Sequence, residues 1–240
     1  MLPALDTPFR WQGDYIAADL NGAHALFTTR RGGVSAGPFD SLNLGRKTAD
    51  VPANVDENRR RVAAVAGQPW ERFLYGWQVH GATLRRATEA RSRVTQEDGQ
   101  VTALTGHPAL VFVADCTPVL LVADEGVAAL HCGWRGTAAG IVEQGVASLE
   151  GPVRALIGPG ARGCCYEVGE EVHEAFADYD ARRGDHNLEL VAVIRAKLAA
   201  SGVAEIHDVG LCTMCSHGLF FSHRRDGGVT GRQAGIVWRP

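Results

Sequence analysis

Apolar positions in this chain fall into short runs broken by Gly, Pro and Asp. The longest patterned stretch is Val111–Gly136, VFVADCTPVLLVADEGVAALHCGWRG. One apolar run leads to Cys116. A second crosses Thr117–Ala123, breaks at Asp124-Glu125-Gly126, and returns through Val127–Leu130 to His131. Runs of this length on either side of a turn predict an antiparallel hairpin. Its turn lies at one end, and Cys116 and His131 lie together at the other. Further strands are predicted at Ala25–Thr29, within Trp70–His80, and at Val101–Leu104, Val153–Ile157, Ile206–Leu211 and Gln233–Trp238. Asp98-Gly99 reads as a tight turn and Leu84–Arg93 as a charged connection.

Helical spacing appears in four places. Asn54 caps the first helix, Asp56 and Glu57 suit its positive end, and Gly67 and Pro69 stop it. The second opens at Gly136-Thr137, with Thr137 as cap and Ile141, Val142, Val146 and Leu149 as its apolar face. The third covers Glu170–Ala177. The fourth is capped by Asn187, buries Leu190, Val191, Ile194 and Leu198, and ends at Gly202. Short strands alternate irregularly with these helices, with no repeat and no linker. The pattern predicts one α/β (α+β) domain over residues 1–240, with mixed sheets flanked by helices.

Composition narrows the function. The chain has 240 residues, 45% hydrophobic and 21% charged, with a net charge of −3. No basic tract invites nucleic acid, and no apolar run approaches the roughly 20 residues that span a bilayer. The N-terminal stretch lacks the pattern of a secretory signal, so a cytoplasmic location is expected. The six cysteines are then free thiols or metal ligands.

Three places carry candidate chemistry. Cys116 and His131 on one rim suit a metal site or a Cys–His catalytic pair, or else Cys116 is packing. Arg30-Arg31-Gly32-Gly33 suits a loop that approaches an anion, or an ordinary surface turn. Cys212-Thr213-Met214-Cys215 is a lone C-x-x-C without the second pair of a zinc ribbon. His80 ends an element beside Gly81. Trp134 and Arg135 lie between His131 and a helix start, where N–H groups are free.

Six blocks now stand in order: FTTRRGGVS-GPF-SLNLG (Phe27–Gly45), QVHG (Gln78–Gly81), ADCTPVLL (Ala114–Leu121), HCGWRGT (His131–Thr137), IGPG…CCYEVG (Ile157–Gly169) and FFSHRRDGGVTGRQ (Phe220–Gln233). Together they resemble the bacterial purine nucleoside phosphorylase family, also known as multicopper polyphenol oxidase (laccase) and peptidoglycan editing factor. The resemblance implies a layered mixed-sheet fold, similar to the catalytic domain of the cytotoxic necrotizing factor toxins. It implies one zinc ion held by His80, Cys116 and His131, which are then also the catalytic residues. The implied activity is phosphorolysis of adenosine, inosine, guanosine and S-methyl-5'-thioadenosine, with deamination of adenosine. The implied partners are nucleosides and phosphate, and a monomer is expected.

Three protein ligands leave a fourth tetrahedral position open, as catalytic zinc requires. Such zinc lowers the pKa of bound water to roughly 7, which suits attack at C6 of adenine. For phosphate the candidates are Arg30 and Arg135, with Arg224, Arg225 and Arg232 behind them, because guanidinium matches phosphate geometry. Asn43 and Ser41 are candidate sugar or base contacts. Two positions depart from the family pattern: Cys132 stands where Ala is usual, and His223 where Tyr is common. Strand alternation turns Cys132 away from the metal and towards packing. Cys164 and Cys165 are read as structural.

Three other readings remain. A copper polyphenol oxidase would use His-x-His pairs, and the nine histidines contain none. Copper could still occupy the Cys/His site in vitro. A Cys–His amidase acting on cell-wall precursors would leave His80 spare. A non-catalytic zinc-stabilised protein would enclose its metal fully.

Overall fold

The computed structural model describes residues 2–88 and 95–240. The strands are β1 (Arg10–Gln12), β2 (Tyr15–Leu20), β3 (Ala23–Phe27), β4 (Leu84–Ala87), β5 (Gly99–Thr102), β6 (Ala109–Val113), β7 (Thr117–Val122), β8 (Val127–Cys132), β9 (Arg154–Ile157), β10 (Arg182–Arg183), β11 (Asn187–Leu188), β12 (Glu205–Asp208) and β13 (Gln233–Trp238). The helices are α1 (Pro52–Ala66), α2 (Trp134–Ala138), α3 (Ile141–Ala147), α4 (Glu170–Glu174) and α5 (Leu190–Ala200).

Two mixed-size sheets stack face to face. One has the order β1-β2-β3-β13-β6 and the other β12-β9-β7-β8-β5-β4; β10 and β11 form a small ribbon. Ile16, Phe27, Val111, Leu120, Val127, Leu156 and Val237 fill the space between the sheets. Val62 and Ala66 of α1 cover the outer face of the first sheet with Leu26, Leu110 and Ile236. Ile141, Val142, Val193, Ile194 and Leu198 from α3 and α5 cover the second sheet with Val119, Leu121 and Leu130. The result is a helix–sheet–sheet–helix arrangement, the layered α/β class expected from the pattern. Among the described residues no helix is long and apolar enough to cross a membrane.

The hairpin forms as expected. β7 pairs antiparallel with β8, Thr117 opposite Cys132, Pro118 opposite His131 and Val122 opposite Val127. Every residue of both strands is buried. Leu120 and Val122 face the first sheet, while Val119 and Leu121 face the helices. Burial on both faces explains the continuous apolar runs, because neither side needs polar residues.

Several local expectations are corrected. Pro52 opens α1 after Val51, with Asn54 inside the first turn; Gly67 closes it at φ 65°. Gly133 precedes α2, so Thr137 is a buried helical residue and not a cap. Gly140, at φ 90°, then divides the expected single helix into α2 and α3. Asn187 belongs to β11, and Glu189 precedes α5. The Trp70–His80 stretch has one 3-10 turn at Trp70–Arg72 and a single bridge from Leu74 to Ala109 in place of a strand. The expected Asp98-Gly99 turn is a strand start, with Gly99 paired to both Leu84 and Leu130. The charged connection includes β4, and its part at Glu89–Arg93 lies outside the described residues. β1 and β2 carry no alternation strong enough to have been expected.

Candidate metal centre

Three segments meet at one end of the second sheet. Cys116 ends the link from β6 to β7, His131 lies in β8 opposite Pro118, and His80 sits in the loop before β4. Their ligand-capable atoms all lie within 4.8 Å of one another. The two imidazole rings are 5.0 Å apart at 61°. His131 is buried, Cys116 half-buried and His80 exposed. The set therefore opens on one side.

Asp98 holds this arrangement. It is fully buried and accepts N–H groups from Val79 (3.1 Å), His80 (2.9 Å) and Gly81 (2.9 Å). His131 Nδ1 lies 2.8 Å from Asp98 Oδ1. Burial alone would raise the Asp98 pKa, but the His131 and backbone hydrogen bonds hold it below the usual carboxylate value. An ionised carboxylate can only accept, so Nδ1 carries the proton and Nε2 is left to face a metal.

Two left-handed residues flank the ligands. His80 has φ 62° and Asp115, next to Cys116, has φ 89°. Each is fixed by carboxylate hydrogen bonds. Asp98 takes the N–H of His80, while Asp115 accepts from Thr213 Oγ1 (2.7 Å), Ser222 Oγ (3.1 Å) and Arg224 N (2.8 Å). Backbone strain held this way clusters at functional sites. Close approach also fixes Gly133: a Cβ there would lie 3.1 Å from Cys116 Sγ and 3.3 Å from His80 Cδ2.

Electrostatics favour a charged pair in the metal-free protein. Burial pushes the Cys116 thiol up, but the His131 charge and hydrogen bonds from His131 and His80 bring it down to about 6. Burial pushes His131 down, and the Cys116 and Asp98 charges lift it to about 9. A thiolate with two imidazoles is a suitable donor set for a borderline-soft divalent ion.

A cleft of about 1510 Å³ opens over the three residues. Trp77, Trp134 and Tyr166 line it, with Arg135, Arg224, Arg232 and His223. Arg135 lies over the Trp134 ring, 4.3 Å from its centroid. Arg224 lies 5.3 Å from the Tyr166 centroid and donates to Glu167 O. Arg232 donates to Thr230 O and Gly231 O.

Other residues expected at the site lie elsewhere. Arg30 donates to Asp40 O and lines a separate depression with Ser41 and His217. Arg225 is committed to Asp226 and to the carbonyls of Thr213 and Phe220. Asn43 is fully buried. It donates to Thr48 and Asp50 and accepts from the N–H groups of Gly45 and Arg232, so it braces the loop below the cleft. Cys132 packs in the core on the helix side of β8.

The sequence reading missed Asp98 and Asp115. Asp98 precedes Gly99, and that dipeptide is a turn signal unless long-range pairing is known. Asp115 could have been found, because it adjoins Cys116 inside a matched block.

The model of the family described as "Multi-copper polyphenol oxidoreductase laccase" matches residues 24–240. A purine nucleoside phosphorylase of Pseudomonas aeruginosa is 40% identical over 232 residues, 89% of this chain and 92% of that protein. The purine nucleoside phosphorylase YfiH of Escherichia coli is 38% identical, over 90% of this chain and 94% of that one. The crystal structure of YlmD from Geobacillus stearothermophilus superposes with a TM-score of 0.90 at 34% identity, covering 96% of this chain and 98% of that one. With the family model spanning most of the chain and these relatives covered almost end to end, the protein belongs to the multi-copper polyphenol oxidoreductase laccase family, which includes the YfiH purine nucleoside phosphorylases.

Proposed function

We propose that this protein is a zinc-dependent purine nucleoside phosphorylase. It would convert adenosine, inosine, guanosine or S-methyl-5'-thioadenosine, with phosphate, to the free base and a sugar 1-phosphate, and would also deaminate adenosine. The observation that carries this reading is the open His80–Cys116–His131 group at the base of an arginine-lined cleft. The names of the relatives point the same way. Zinc bound there would supply Lewis acidity and an activated water through its free position.

The chain's own residues do the rest. Asp98 keeps the proton on His131 Nδ1 and sets the ring direction. Arg135, Arg224 and Arg232 bring positive charge to the phosphate side of the cleft. Trp77, Trp134 and Tyr166 offer flat faces to a purine. The cleft exceeds the roughly 300–1,000 Å³ of ordinary small-molecule sites, so nucleoside and phosphate fit together.

One feature favours a second reading. Cys116, His131 and Asp98 form a nucleophile–base–orienting acid series, the arrangement of a thiol amidase. The orienting acid thus exists, and His80 alone separates the two readings. A copper oxidase has less support: apart from His80–Cys116–His131, the described residues hold one other metal-capable group, and it contains only cysteines.

The test is product analysis with a nucleoside panel on protein of known metal content. Hypoxanthine should appear from inosine only when phosphate is present. Base release without phosphate would indicate a hydrolase. Alanine release from a muramyl precursor without base release would establish the amidase. His80→Ala should lose both metal and phosphorolysis; activity surviving without metal would transfer the chemistry to Cys116 and His131.

A further inference from the structure

A second sulphur-rich cluster lies outside the chemistry described above. β9 and β12 run parallel, Arg154 beside Glu205 and Ile157 beside Asp208. Both chains therefore leave the sheet at the same end. The loop after β9 carries Cys164 and Cys165, and the loop after β12 carries Cys212 and Cys215. The loops are joined where Gly160 bridges Cys212 and Thr213 donates its N–H to Gly160 O at 3.0 Å. Parallel pairing thus supplies the partner that the C-x-x-C lacked in the sequence.

The sulphur positions are specific. Cys164–Cys165 are 3.6 Å apart, Cys164–Cys215 3.5 Å, Cys165–Cys212 3.4 Å and Cys165–Cys215 3.5 Å. All four sulphurs fall within 4.8 Å of one another. A disulfide would need about 2.05 Å. Four thiolates around one ion, with metal–sulphur bonds of about 2.3 Å, would sit about 3.8 Å apart at the corners of a tetrahedron. The four shortest contacts come within a few tenths of an ångström of that edge. A multi-iron cluster would hold its cysteines around its outside, too far apart for sulphurs to touch.

Packing does not explain the cluster. A cysteine used as a small hydrophobe is buried, as Cys132 is. Here Cys164 and Cys215 are exposed, Cys165 is half-buried and only Cys212 is buried.

We infer that Cys164, Cys165, Cys212 and Cys215 form a second, tetrathiolate site for a single tetrahedral divalent ion of the zinc class. Loading the site replaces four S–H protons by one ion, and all four positions are filled by protein. The site is therefore structural. Its effect reaches the cleft through neighbours. Tyr166 follows Cys165 and lines the cleft. Thr213, inside the C-x-x-C, donates its hydroxyl to Asp115 beside Cys116. Its carbonyl accepts from Arg225, at 2.8 Å. An ion here would fasten one wall of the cleft without touching substrate.

Metal content by mass spectrometry tests the site, on protein purified under reducing conditions. The wild type should hold about two ions per chain, and His80→Ala and the Cys212→Ser/Cys215→Ser double variant about one each. Cobalt added to metal-stripped His80→Ala should give strong thiolate-to-metal absorption in the near ultraviolet, lost when Cys212→Ser/Cys215→Ser is added to His80→Ala. Should the double variant fail to fold, thiol counting on the native wild type decides: Cys116 and the four loop thiols, five in all, should resist Ellman's reagent until a chelator is added, with Cys132 buried throughout. Four freely reactive thiols would overturn the proposal, as would a disulfide between the two loops in a non-reducing peptide map. Loss of the other site is distinguishable, since wild type and His80→Ala would then both carry one tetrathiolate-bound ion.

Discussion

Asp98 is fully buried yet satisfied by four donors, three of them backbone N–H groups of one loop and the fourth the His131 ring. Asp98→Asn keeps the shape but can donate to Nδ1 and so reverse the imidazole tautomer. Loss of an outer-sphere partner of this kind weakens metal binding about 10–100-fold. Chelator competition should show that weakening at unchanged fold; equal affinity would remove Asp98 from its orienting role. Cys116 allows a test of sign. Its pKa is depressed to about 6 against about 8.5 for an ordinary thiol, so thiolate persists above pH 6 and is lost as pH falls through that value. In metal-stripped protein, alkylation of Cys116 should stay fast at pH 7 and slow below pH 6. A midpoint near 8.5 would mean that His131 does not hold the thiolate.

The central hairpin contributes to two of the three apolar layers, carries His131, and starts one residue after Cys116. Leu130 is fully buried in β8, one residue before His131, and a Cβ on Gly145 of α3 would lie 2.5 Å from its Cδ1. Leu130→Ala should cost about 2–5 kcal/mol in denaturant unfolding, because this tightly packed neighbourhood cannot close the cavity. A cost under about 1 kcal/mol would show that α3 moves in to fill it. β13 belongs to the same scale. It is the last strand in sequence, yet it sits inside its sheet between β3 and β6. Its apolar run was legible in the sequence, but its central place was not, since strand order depends on pairing between distant segments.

At the scale of the molecule, the cleft gathers cations from two separate regions: Arg135 at the start of α2, and Arg224 and Arg232 from the link between β12 and β13, beside a loop braced by Asn43. Arg135→Ala should raise the KM for phosphate about 10-fold or more at unchanged metal content, the scale of a lost charge-assisted hydrogen bond. Arg30→Ala should change it less than about 2-fold, because that guanidinium is turned to Asp40 O in another depression. Parallel phosphorolysis kinetics on the two variants check both outcomes. A large Arg30 effect would place phosphate outside the metal cleft.

The sequence by itself determined the α/β class with helices outside the sheets and the hairpin that brings Cys116 and His131 to one rim; His80 joined them only through the family resemblance. Continuous apolar runs and residues beside a turn are local properties, and chemistry-bearing side chains announce themselves by type. Tertiary structure alone decided the rest. Arg30 and Arg225 look as suited to phosphate as Arg135 does, and only their carbonyl and carboxylate partners tell them apart. Asp98-Gly99 has the composition of a turn, and only pairing with β4 and β8 makes it a strand start beneath the metal loop. The four cysteines are 47–51 residues apart in pairs, and only parallel pairing of β9 with β12 brings their sulphurs together. Each of these outcomes rests on contacts between distant segments, whose cost in chain entropy is repaid only by the assembled core.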